Sequence, residues 1–152
     1  MSYYSRAEVN ANSALLVSIT PKDYDFDNNP LSGIEFQRKL ESDAFILGGS
    51  DYKAPAQRVG DFLNNTSTTS FGSVTPSYKP GVKPCNLNDM LPDFISNSLK
   101  DALIDLGNKI PAFKNGDAVL TAIESRSSSP ITIVRNENLI SSVEGLYPTG
   151  EG

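Results

Sequence analysis

Ile95-Ser96-Asn97-Ser98-Leu99-Lys100-Asp101-Ala102-Leu103-Ile104-Asp105-Leu106-Gly107-Asn108-Lys109-Ile110 is the stretch on which the fold turns. Ile95, Leu99, Ala102, Leu103, Leu106 and Ile110 keep close to a 3.6-residue period, while Asn97, Lys100, Asp101 and Asp105 gather on the other face. This predicts an amphipathic helix laid against a core, with Pro92 in its first turn and Pro111 ending it. A second helix is predicted upstream, over 30–47. Asn29 is placed to cap it, Pro30 suits its first turn, and Gly48-Gly49 supply the stop. Ile34, Leu40, Ala44, Phe45 and Leu47 form its apolar side, Glu35 and Lys39 make an i,i+4 pair, and Phe36 turns aside to a neighbour. Residues 54–63 read as a shorter helix, with Pro55 in the first turn and Val59, Phe62 and Leu63 facing inward.

Strand patterns lie at the two ends. Residues 14–19, Ala-Leu-Leu-Val-Ser-Ile, are an apolar run of strand length closed by Pro21. Residues 117–126 and 131–135 read as two strands joined by Ser127-Ser128-Ser129-Pro130 in a hairpin. Residues 143–148 are strand chemistry running into a glycine turn. Between the helices, 64–73 is a polar loop, and Pro76, Pro80 and Pro84 hold an extended segment. The expected fold is α+β: an antiparallel sheet formed by N- and C-terminal strands, with the helical segment inserted between them.

Composition narrows the function classes. At 152 residues, with 38% hydrophobic and 20% charged, the chain is an ordinary single globular domain able to bury a core, 1–152. Thirteen Lys+Arg against eighteen Asp+Glu give a net charge of −5, so the surface repels phosphate backbones and nucleic acid is not an expected partner. Cys85 is the one cysteine, which excludes an internal disulfide. With no histidine beside it to activate it, Cys85 reads as a packed, neutral thiol. The absence of histidine also removes the commonest general base and zinc ligand. With no Gly-x-Ser-x-Gly elbow either, the usual hydrolase pairs are missing. Asp23-Tyr24-Asp25-Phe26-Asp27-Asn28 starts like a calcium loop, but Asn28 stands where glycine is needed and Ile34 where glutamate is needed. No metal site is expected. No apolar run is long enough to cross a bilayer and no apolar signal core opens the chain, so no membrane partner and a cytoplasmic location are expected.

The most informative segment is Gly145-Leu146-Tyr147-Pro148-Thr149-Gly150-Glu151-Gly152, whose glycines let a backbone come within hydrogen-bond distance of a ligand. On its own it is equally an exposed tail. It stands with five other blocks in order: Asn12-Ser13-Ala14-Leu15-Leu16-Val17, Gly33-Ile34-Glu35-Phe36-Gln37-Arg38, Ala54-Pro55-Ala56-Gln57-Arg58-Val59-Gly60-Asp61-Phe62, Pro76-Ser77-Tyr78-Lys79-Pro80-Gly81-Val82, and Ala118-Val119-Leu120-Thr121-Ala122-Ile123-Glu124-Ser125-Arg126-Ser127-Ser128-Ser129-Pro130. With them the chain resembles the uncharacterised FAD-dependent dehydrogenases, relatives of the two-dinucleotide-binding-domain flavoproteins.

The resemblance implies a substrate or cap domain excised from a longer flavoprotein, with 148–152 beginning the C-terminal FAD-binding motif. It implies FAD as cofactor, with Gly150 and Glu151 meeting the ribityl chain and Gly152 opening the turn near the pyrophosphate. No Gly-x-Gly-x-x-Gly occurs in the 152 residues, so the chain alone is not expected to retain FAD or to be active. The implied partners are the missing FAD-binding domain of the same polypeptide and an unidentified small-molecule substrate. Arg126, among Ser127, Ser128 and Ser129, either holds a substrate carboxylate or the negative charge of a reduced flavin, or is the outward arginine of a hairpin turn. Tyr78 and Lys79 either line the same cleft or are a packed ring and a solvated amine. Tyr78, Tyr147 and Phe113 are the aromatics available to face the flavin ring. An apolar surface freed from a partner domain also allows a homodimer. The other reading is a stand-alone α+β binding or structural module without catalytic activity.

Overall fold

In the computed structural model, residues 4–24, 27–127 and 132–150 are described. Helix α1 spans Ser32–Leu47, strand β1 Ala54–Arg58, helix α2 Val59–Leu63, strand β2 Val82–Pro84, helix α3 Asp93–Lys109 and strand β3 Val119–Thr121. Short 3-10 turns lie at Pro21–Asp23, Leu87–Asp89 and Pro111–Lys114. The class is α+β. The two long helices form where the 3.6-residue pattern places them. α1 stops at Gly48, where a Cβ would collide with the Lys53 carbonyl oxygen, so only glycine lets the chain turn back so tightly into β1. The polar side of α1 differs in detail from the expected pairing. Lys39 pairs with Asp43, and Glu35 accepts from Asn29 Nδ2 at 3.1 Å.

The sheet corrects the expectation of an antiparallel sheet made from the chain ends. Its order is β2-β1-β3, with β1 parallel to β2 (Ala54 opposite Val82) and antiparallel to β3 (Ala56 opposite Thr121). Its central strand is the stretch read as the start of a helix. Ala54 and Ala56 have no strand preference of their own and Pro55 fits a helix's first turn. Here partners from both sides override that preference. Ala54 N–H donates to Gly81 O at 3.0 Å, Cys85 N–H to Ala56 O at 3.0 Å, and Ala122 N–H to Pro55 O at 3.0 Å. The helix begins only at Val59.

The N-terminal run 14–19 is not a strand. It alternates as one, with Leu15 and Val17 packed on the core and Leu16 56% exposed, but it joins no ladder among the described residues. β3 is confined to Val119–Thr121 and residues 132–135 form no strand, so the expected hairpin is absent among the described residues; 128–131 lie outside them. Residues 143–148 make turns rather than a strand, with Leu146 N–H bonding Val143 O and Ser141 N–H bonding Leu146 O.

The core lies between the helices and one face of the sheet. Phe62 and Leu103 are at its centre, with Leu40, Ala44, Val59, Cys85, Leu87, Met90, Leu91 and Ile95 around them. Gln57, on β1, is the largest fully buried polar side chain. A polar seam backs the sheet. Arg58 reaches Asp61 through Nε at 2.9 Å and Nη2 at 3.1 Å and Asp117 through Nη1 at 3.3 Å, while Asp117 accepts from Ser73 N at 3.0 Å and Oγ at 2.8 Å. That seam fixes the start of β3, and hence where the chain leaves it. Among the described residues, no helix is long and apolar enough to cross a membrane.

Candidate functional site

The chain leaves β3 at the end of the sheet where β1 begins, and passes across α1. Gln37 and Glu41 sit one turn apart on α1 and both reach this segment. Gln37 Nε2 donates to Ser125 O. Glu41 takes three hydrogen bonds: from Ser125 Oγ at 2.7 Å, from Arg126 Nε at 2.7 Å and from Arg126 Nη2 at 2.9 Å. The last two are a fork-on-fork contact, which fixes the plane of the guanidinium as well as its position. Beside the pair is an open cleft of about 390 Å³ lined by Glu41, Ile123, Glu124, Ser125 and Arg126. Ile123 packs against the core and so anchors the cleft floor.

The electrostatics follow from this geometry. The Arg126 hydrogen bonds, then the Ser125 hydroxyl, hold the Glu41 carboxyl at about 2 instead of the usual 4.5. Arg126 keeps its proton more tightly than a free arginine because Glu41 accepts from it. Arg126 is 74% exposed and Glu41 30%, so solvent screens the pair and it acts chiefly to orient. One edge of the guanidinium is committed to Glu41; a ligand carboxylate or a negatively charged ring edge would approach the other edge.

The lowered carboxyl makes a signed prediction. Because its folded value lies below the unfolded one, the pair stabilises the fold above about pH 4.5, and that contribution is lost as the pH falls towards 2. Glu41→Gln is therefore expected to lower the urea midpoint at pH 7 and to converge on the wild type near pH 2. A difference that persists undiminished at pH 2 would assign the effect to packing instead of charge.

The other candidates are placed as follows. Tyr78 is half-buried and Lys79 exposed, in the segment entering β2. Ala54 opposite Val82 and Ala56 opposite Thr121 put the start of β2 and the end of β3 beside the same end of β1, so Tyr78-Lys79 and Arg126 flank one end of the sheet from opposite edge strands. Neither Tyr78 nor Lys79 lines the cleft at Arg126. Phe113 packs against the core, and Tyr147 is 58% exposed. Gly150 has φ +130 and open space around it, so its backbone is accessible; Glu151 and Gly152 lie outside the described residues, as do Ser128 and Ser129.

Asp23 accepts from Thr20 N at 2.7 Å and Thr20 Oγ1 at 2.8 Å, closing the turn at Pro21–Asp23. Among the described residues no three acidic or cysteine side chains gather as metal ligands; Asp25 is outside them. Cys85 is buried with Sγ 3.6 Å from Ala56 O, and burial pushes its thiol up, away from the reactive thiolate. Arg126 is a candidate from the sequence, whereas Gln37, Glu41 and Glu124, which the structure brings beside it, are not. The i,i+4 spacing of Gln37 and Glu41 was visible, but nothing local says which distant segment they meet.

Comparison with known proteins agrees with the resemblance read from the sequence blocks. An uncharacterized protein of Clostridium beijerinckii is 48% identical over 153 residues, covering all of this chain and 28% of the relative. The chain thus spans little more than a quarter of that relative's length. A family model described as FAD-dependent protein, C-terminal domain-like, matches residues 1–127, which include the whole sheet, the core and the Glu41–Arg126 cleft. The chain belongs to that family of FAD-dependent protein C-terminal domain-like sequences.

Proposed function

We propose that this chain is the substrate-side or cap domain of an FAD-dependent oxidoreductase of dehydrogenase type, covering the flavin and shaping the substrate cleft. The observation that carries the reading is the cleft at Arg126. A fixed guanidinium beside an open 390 Å³ space, on a domain of an FAD-dependent family, is suited to orient an anionic group next to a redox cofactor. When bound, a flavin supplies the hydride-accepting ring; the protein supplies orientation and charge.

The residues present fit that cofactor at one edge only. Gly150, with an open backbone and positive φ, can be approached closely by a ribityl chain, and Glu151 and Gly152 follow it in sequence. No Gly-x-Gly-x-x-Gly is present to hold the phosphates, so the adenine half needs another part of a longer polypeptide. Within this chain Arg126 binds and orients, Glu41 and Ser125 hold Arg126, Gln37 fixes Ser125, and Ile123 keeps the floor of the cleft apolar. Tyr78 and Lys79 form the opposite flank of the same end of the sheet.

The test is the visible absorption spectrum after incubation with FAD, taken on this chain and on the full reading frame that encodes it. A flavin band retained by the longer polypeptide alone is the expected result. Arg126→Met in that polypeptide should then lower the flavin's reduction potential, because a positive charge near the ring favours the reduced anion. If neither protein holds flavin, the reading falls.

A further inference from the structure

Three charged side chains line the cleft beside Arg126, and the fold uses them unequally. Glu41 is fully occupied, its oxygens taking the hydrogen bonds of Arg126 and Ser125. Arg126 is half occupied, with Nε and Nη2 on Glu41 and Nη1 left to donate. Glu124 is not occupied at all. It is exposed, lines the same cleft, and makes no ion pair or hydrogen bond among the described residues.

The partner that Arg126 takes is informative. Glu124 and Arg126 are two positions apart, so their Cα atoms are at most about 7 Å from each other. Side chains as long as these can close an ion pair across such a gap. Arg126 turns instead to a carboxylate 85 positions away, on α1. A second cation adds to that side. Arg38, three residues before Glu41 on the same helix, acts on the Glu41 carboxylate through its charge. One carboxylate therefore stands among two guanidinium groups, and the α1 side of the cleft keeps a net positive charge. The Glu124 side keeps a negative one. Ile123, also in the lining, adds apolar surface.

A cation that only donates and an anion that only accepts, held apart beside one open space of about 390 Å³, match a small molecule carrying the opposite pair. A plain carboxylate satisfies Arg126 alone and brings its charge beside Glu124. A plain amine satisfies Glu124 alone and brings its charge beside Arg126. A zwitterion satisfies both and avoids both repulsions. We propose that the cleft takes an amino acid, with its carboxylate on the free edge of Arg126 and its ammonium on Glu124. Its apolar side chain lies against Ile123. Glu124 is then the residue that selects amino acids from plain carboxylates. That this ligand is the substrate rests on the reading of the domain as the substrate side of a flavoprotein; that the cleft binds it does not.

Calorimetric titration of the full reading frame tests it with free leucine, each hand separately, and two analogues. Isocaproate is leucine without the ammonium, and isoamylamine is leucine without the carboxylate. The tighter leucine enantiomer is expected to bind at least about tenfold more tightly than either analogue, the factor that a hydrogen bond to a charged group supplies. Glu124→Gln should weaken leucine about tenfold and leave isocaproate unchanged or tighter. Arg126→Met should weaken leucine and isocaproate alike and leave isoamylamine unchanged or tighter. Glu124 holds no other described residue, so Glu124→Gln should keep the wild-type urea midpoint, which separates lost binding from lost fold. Isocaproate bound as tightly as leucine overturns the proposal. So does selectivity that survives Glu124→Gln, and so does the absence of binding by every probe. The flavin spectrum, recorded on the same samples, keeps the two readings apart. Selectivity without a flavin band upholds the zwitterion cleft and sinks the substrate reading; a flavin band without selectivity does the reverse.

Discussion

Replacing Phe62 with alanine is expected to lower the unfolding free energy by about 3–5 kcal/mol, the range for emptying a buried aromatic site. Phe62 is 0% exposed and sits at the centre of the core. The side chain cannot be replaced by collapse from one side. α2 is only Val59–Leu63, and it is pinned at its start by Val59 N–H to Ala118 O at 2.8 Å and Gly60 N–H to Gly116 O at 3.0 Å. On the other side Lys100 Nζ lies 5.2 Å from the ring centroid and is held by Asn65 Oδ1 at 2.6 Å, so α3 is tied to the same ring. A cavity here would be lined by parts already fixed. Against a total of about 5–15 kcal/mol for a domain, that loss leaves little native protein. Phe62→Leu, which keeps most of the volume, should lose less than about 1.5 kcal/mol. Urea unfolding followed by far-ultraviolet dichroism separates the two. A Phe62→Ala midpoint close to the Phe62→Leu midpoint would mean that α2 is not packed as described. The same variant should also loosen the Glu41–Arg126 pair, because β3, which delivers Arg126, is laddered to β1 at Ala56, Gln57 and Arg58, just ahead of α2.

What the sequence disclosed divides along a physical line. Elements decided by their own residues were legible. α3 appears in the spacing of Ile95, Leu99 and Leu103, and α1 in Leu40, Ala44 and the Gly48 stop, although Phe45, expected on its apolar side, is 37% exposed. Phe36 meets a neighbour as expected, Tyr24 at 6.3 Å between ring centroids, but it also packs against the core. Elements decided by distant partners were not. β1 carries two alanines and a proline, and is a strand only because Gly81, Cys85 and Ala122 bring backbone groups to both of its edges. The run at 14–19 shows the converse. Its strand-like alternation is real and buries Leu15 and Val17, but no edge is offered to it. The candidate site follows the same division. Arg126 stood out by its company of serines, whereas the residue that holds it, Glu41, lies 85 positions away and reads as one more charge on a helix.

Gln57→Leu is the second large effect, at about 2–4 kcal/mol, and it comes from polarity and not from volume. The side chain is 0% exposed yet fully occupied. Its Oε1 accepts from Leu87 N–H at 2.7 Å, and its Nε2 donates to Thr66 O at 2.7 Å and Asn86 Oδ1 at 3.2 Å. One amide thus joins the central strand to the loop after α2 and to the turn at Leu87–Asp89. Leucine fills the space but leaves the buried Leu87 N–H with nothing to bond, and an orphaned buried donor costs more than a typical hydrogen bond contributes. Asn86 Oδ1 loses less, because Asn88 N at 3.2 Å and Asn88 Nδ2 at 2.9 Å still reach it. Gln57→Glu separates shape from chemistry. It keeps the acceptor for Leu87 but faces a carbonyl and an amide oxygen where the amide donated, so burial raises its carboxyl above the unfolded value. The folded state then binds the proton more tightly, and stability must fall as the pH rises from the unfolded value through the folded one. Gln57→Leu should instead show the pH dependence of the wild type. If Gln57→Glu and Gln57→Leu were equally destabilised at pH 4 and pH 8, the buried amide would be acting through its volume alone, and β1 would owe its position to the ladders on either side rather than to this side chain.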